Sequence, residues 1–163
     1  MNAIEPPDSF HLRAAEGWAE LGDLAEAQVE LGLVAAELQT HPAVLALRWE
    51  ILTSLRDWSG ALEAAAAMIQ VAPNEPAGWF NRSYCLHELK RTQEARDNLL
   101  RVVDSFPLSA TMRYNLACYE CQLGRLDQAR IWLRKAFGLG DPGEMKNQAL
   151  RDPDLEPLWP ELK

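Results

Sequence analysis

A pattern ending in alanine returns four times at one spacing: Asp23-Leu-Ala-Glu-Ala27, Trp58-Ser-Gly-Ala61, Thr92-Gln-Glu-Ala95 and Leu126-Asp-Gln-Ala129, with the alanines 34 residues apart each time. A fixed period of this length means one helical hairpin stacked four times, because a single hairpin cannot bury its apolar face alone. The small side chain at each marker lets the two helices of a hairpin approach to about 8 Å. A chain built this way presents surfaces to a partner, and the repeat itself carries no chemistry.

Punctuation divides each unit into two helices and a turn. Pro42 and Pro76 both stand 19 residues before a marker alanine, where they suit the first turn of a helix. Pro73 and Pro107 close helices, and Gly22, Gly124 and Gly140 supply turn or cap positions. Apolar residues follow helical spacing, as in Leu126, Ala129, Leu133 and Ala136, or Trp58, Ala61, Ala65 and Met68. Helices are expected at 10–21, 24–38, 42–55, 58–71, 76–89, 92–104, 109–122 and 126–138. A short helix is expected over 144–151. Beyond it, Leu155, Leu158 and Trp159 are suited to fold back over the last repeat, since a terminal repeat needs a cover.

These residues resemble the tetratricopeptide repeat family. The third unit carries Trp79-Phe-Asn-Arg-Ser-Tyr-Cys-Leu86, Ala95 and Pro107; the fourth carries Tyr114-Asn-Leu-Ala-Cys118, Leu123-Gly-Arg-Leu-Asp-Gln-Ala129 and Trp132-Leu-Arg-Lys-Ala-Phe137. The first unit has a three-residue slip before Pro42, and the second has Arg56 where a turn glycine belongs. The resemblance implies an all-α, right-handed α-solenoid of four helix hairpins plus a C-terminal capping helix. The divisions are a flexible N-terminus at 1–9, repeats at about 10–41, 42–75, 76–108 and 109–142, and a cap at 143–163.

The chain has 163 residues and is about half apolar, enough to bury a core without staples. Its formal charge of −8 lies entirely in residues 1–74, which hold 11 acids and 3 bases against 13 and 13 in the remainder. That balance argues against nucleic acid as a partner. No run is long and apolar enough for a membrane span, and the acidic start lacks a signal-peptide layout. The three cysteines, Cys85, Cys118 and Cys121, fit reduced thiols, so a cytoplasmic location is expected.

In the family the first helices of successive repeats line a concave groove. The resemblance places Phe80, Asn81, Tyr84 and His87 there from the third repeat, and Tyr114 and Asn115 from the fourth. Asn81 and Asn115 stand 34 apart and would meet the main chain of an extended peptide. Phe80, Tyr84 and Tyr114 would add the apolar contact such weak bonds need. The family's lysine and arginine clamp for a terminal carboxylate is not expected, since Ala46 and Glu50 occupy the cation positions. Glu16, Glu20 and Glu50 instead make one end of the groove negative, which suits basic residues on a ligand.

The reading is a scaffold binding an extended peptide or partner helix, as a monomer or in weak self-association. Its alternative is a dedicated chaperone or escort for one cargo. No enzyme activity and no cofactor or metal are expected, because His11 and His41 have no matching nucleophile or carboxylate. A third alternative, of another class, is a thiol or zinc site at Cys118 and Cys121, with His87 the nearest further ligand.

Overall fold

The computed structural model describes residues 3–162, and among them the regular structure is all helical. The chain divides into two compact units, residues 1–85 and 86–163, with the division inside one helix.

In the first unit, α1 (Asp8–Glu20) pairs with α2 (Leu24–Leu33), and α3 (Pro42–Ser54) pairs with α4 (Trp58–Val71); α1 and α2 also pack on α3. Leu12, Ala15, Ala27, Leu31, Val34, Val44, Leu47 and Ile51 form its core. α5 (Pro76–Glu88) begins in this unit. A Cβ placed on Gly78 would lie 3.0 Å from both Cγ1 and the backbone nitrogen of Ile69, so α5 comes against α4 at a distance only glycine allows without a shift.

The second unit holds α6 (Thr92–Leu100), α7 (Ala110–Gln122), α8 (Leu126–Phe137), α9 (Pro142–Ala149), a 3-10 turn at Pro153–Leu158 and α10 (Trp159–Leu162). α7 is its centre, packed against α6, α8 and the 3-10 turn. Leu155 and Leu158 are fully buried, and the Trp159 indole donates to the carbonyl of Ala149 at 2.8 Å.

All four marker alanines have 0% exposure, which the close helix approach requires. Five residues before each marker the chain reverses through the left-handed region, at Gly22, Arg56, Lys90 and Gly124. Asp23 and Asp57 then cap α2 and α4, accepting from the backbone of Glu26 and Gly60.

Two helices end earlier than their periodicity suggests. α2 stops at Leu33 rather than residue 38, with Val34 extended and a separate 3-10 turn at Ala36–Leu38. The Gln39 amide donates to the freed carbonyls of Leu31 and Val34, and Asp8 accepts from Ala35, so side chains replace the lost helical bonds. The three-residue slip in the first repeat is this break. α6 stops at Leu100 rather than 104, where Val102 and Val103 both turn back onto the Leu99 carbonyl. α1 starts at Asp8, inside the segment expected to be flexible. α9 starts at Pro142, because Asp141 caps it through the Glu144 amide at 2.8 Å.

Candidate functional site

Two clefts adjoin on the first unit. α3 contributes Trp49, Thr53 and Ser54, the start of α4 contributes Trp58, and α5 contributes Phe80 and Tyr84; together they line a cleft of about 410 Å³. Tyr84 is held edge-on by both tryptophans, its ring centroid 6.3 Å from Trp49 and 5.7 Å from Trp58. The Trp49 indole donates to Cys85 Sγ at 3.3 Å, which fixes its plane. The wall is therefore rigid aromatic surface with two hydroxyls at its edge, suited to an apolar side chain and adjacent main chain.

The second cleft, about 400 Å³, lies between α1 and α3 and shares Ser54 with the first. Glu16, Glu20 and Glu50 ring it, with Leu24, Leu47 and Ile51 below. These glutamates are exposed. Three like charges around one apolar floor attract a cation on a flexible apolar stem, the chemistry of Lys or Arg.

The sequence-named groove residues fall into three groups. Phe80 and Tyr84 line the aromatic cleft. Asn81 does not face a ligand: it is 9% exposed, and its amide donates to Met68 Sδ of α4 at 3.6 Å. One helical position beyond Phe80 turns it into the packing of α5 on α4. Asn115, in the second unit, is partly exposed on α7.

Tyr114 and His87 are engaged by the chain's own C-terminal segment rather than offered to a peptide. Tyr114 is 4% exposed and its hydroxyl donates to Asp152 Oδ2 at 2.9 Å. His87 places Nε2 2.9 Å from Asp154 Oδ2 and Nδ1 3.1 Å from Thr92 Oγ1, with its ring on Tyr119. Cys118 Sγ donates to Asp152 Oδ2 at 3.6 Å, and the Gln122 amide to the Asp154 carbonyl. The contacts to Asp152 and Asp154 span 32 to 67 residues.

This setting determines the thiols. Burial first, then Asp152, pushes the Cys118 thiol well above its usual range. Burial and the Asp154 and Asp152 carboxylates push Cys121 up to about 11. Both shifts run opposite to the lowered thiol of a redox Cys-x-x-Cys pair. The Tyr114 hydroxyl is likewise pushed up, chiefly by burial.

Trp49 and Trp58 are not among the groove residues named from the sequence, yet both wall the aromatic cleft. A signal for Trp49 exists. At the 34-residue period it stands in a column with Ala15, Ser83 and Ala117, all small and fully buried, and it alone is large.

Paired helices recurring at 34 residues, with an aromatic and an acidic cleft walled by first helices of the pairs, define a helical-repeat scaffold for protein interaction. The tetratricopeptide repeat family model matches residues 52–102 and 91–143, together more than half of the sequence. The chain belongs to the tetratricopeptide repeat family, whose members are generally non-enzymatic scaffolds that bind protein partners. Among solved structures it is similar to MamA 41-end from Desulfovibrio magneticus RS-1, at 20% identity and a TM-score of 0.77 over 98% of this chain and 93% of that one. It is also similar to TTC0263, a thermophilic TPR protein in Thermus thermophilus, at 19% identity and a TM-score of 0.71 over 95% and 82%. No curated protein matches. No helix among the described residues is long and apolar enough to cross a membrane.

Proposed function

We propose that the protein binds an extended peptide segment of a partner protein on its first unit, with a bulky apolar side chain in the aromatic cleft and a Lys or Arg beside it in the acidic one. The observation that carries this reading is the adjacency of the two clefts at Ser54. A rigid aromatic wall loses little entropy on binding, so the ligand bears most of the ordering cost. The glutamates select the sign of the neighbouring residue and speed the encounter. The mode is main chain and alternate side chains on a preformed surface, with no chemical step.

A displayed library of short peptides tests it directly. Selection against the protein should enrich a basic residue within a few positions of a bulky apolar one. Phe80→Ala, which leaves the Trp49–Tyr84–Trp58 stack in place, should weaken the selected peptides by about 30-fold, the scale of an aromatic hot spot. Glu50→Lys should weaken basic peptides and spare their neutral analogues. Selected peptides that bind both variants as they bind the parent would place recognition elsewhere on the molecule.

A further inference from the structure

Three side chains of metal-binding type meet at one point in the second unit, and a fourth, His87, stands beside one of them. Cys118 Sγ and one carboxylate oxygen each from Asp152 and Asp154 lie within 4.8 Å of one another. His87 Nε2 is 2.9 Å from Asp154 Oδ2. Cys118 is buried and the other three are half-buried. Two carboxylates so close repel, and a cation between them removes the repulsion. The mixed donor set also selects the ion. Thiol and imidazole suit zinc and its neighbours, whereas magnesium and calcium take oxygen ligands.

The geometry points to a zinc-class divalent metal site formed by Cys118 Sγ and the carboxylates of Asp152 and Asp154, with His87 Nε2, beside Asp154, completing the set. Its ligands come from the end of α5, the middle of α7 and the start of the 3-10 turn, with Asp152 capping that turn and Asp154 inside it, so the ion ties the C-terminal segment to the repeat beneath it. Outer contacts already orient the ligands: Thr92 Oγ1 holds the far nitrogen of His87, and the Tyr114 hydroxyl holds Asp152. Cys121 is outside the group, so this is not a Cys-x-x-Cys chelate. As the metal–sulfur bond forms, the Cys118 thiol proton passes to solvent, and no electron is transferred.

The test is titration of the metal-free, full-length protein with Zn²⁺ against a chromogenic chelator, and with Co²⁺ by absorption spectroscopy. A single equivalent should bind, with a thiolate-to-cobalt charge-transfer band. Cys118→Ser should abolish the band, Asp154→Asn should weaken binding, and Thr92→Val should weaken it by about 10–100-fold. Cys121→Ser should leave band and affinity unchanged. Absence of stoichiometric binding at micromolar protein, a band that survives Cys118→Ser, or one that disappears in Cys121→Ser would each overturn the assignment. If Cys118→Ser does not fold by circular dichroism, the parent spectrum decides alone, and lack of the charge-transfer band sinks the site.

Discussion

Arg56 and Lys90 hold φ of +58° and +62° at turn positions where Gly22 and Gly124 serve the other repeats. A side chain in that region costs roughly 1–2 kcal/mol, partly offset by the greater freedom glycine has when unfolded. Arg56→Gly and Lys90→Gly should therefore each raise stability by up to about 1 kcal/mol, read from the urea midpoint at constant slope. Glu120 presents the opposite case. It is 1% exposed and accepts from Arg96 Nε at 2.8 Å, with Arg125 at 3.4 Å on its other oxygen. Arg96→Ala strands most of that charge and should cost about 3 kcal/mol, the lower end for a broken buried pair, since Arg125 remains. Glu120→Leu should cost far less. Denaturation curves of the two variants side by side check the asymmetry.

The junction of α4 and α5 is set at Gly78. Alanine there brings at most about 1 kcal/mol of helix propensity, but its Cβ would press on the Ile69 backbone, and overpacking costs roughly 1–3 kcal/mol. Gly78→Ala should lower the melting temperature, and an unchanged or higher value would mean that the junction of α4 and α5 opens easily. α10 is held differently. Arg130 of α8 donates through Nε and one terminal nitrogen to the two Glu161 oxygens, at 2.8 and 2.6 Å. That hydrogen-bonded guanidinium lowers the Glu161 carboxyl below its ordinary value. A depressed carboxylate stabilises the fold above its unfolded pKa, and the contribution is lost as pH falls through the folded one. Glu161→Gln should therefore speed amide exchange in α10 at pH 7, and the difference from the parent should vanish in acid, once pH falls below the carboxyl's lowered value.

At the scale of the molecule, each end of a repeat array needs a cover, and here residues 151–162 supply one for α7 and α8. Leu155 and Leu158 are fully buried, and truncating a buried leucine to alanine costs about 2–5 kcal/mol. A chain ending at Leu150 should lose several degrees of melting temperature and bind a hydrophobic dye, whereas an equal deletion of exposed loop would do neither. The acidic cleft makes a further demand at this scale: basic peptides should bind more weakly as salt rises, since Glu16, Glu20 and Glu50 are exposed and readily screened.

The helix hairpins were legible in advance because their determinants are local. Marker alanines, N1 prolines and turn residues act within one or two turns of chain, and their 34-residue return states the architecture. Phe80 and Tyr84, named from helical register, line the aromatic cleft. The other residues named with them are separated from that cleft by distance or by one position. Asn81 lies a single residue from Phe80, yet that step of about 100° carries its amide from the cleft to Met68. Tyr114 and His87 looked like open groove residues because nothing near them in sequence reveals that Asp152 and Asp154 close over them. The repeat, the helix pairs and the acidic first half are local properties of the chain. Which first-helix residues the C-terminal segment covers depends instead on contacts across 32 to 67 residues, which no local pattern encodes.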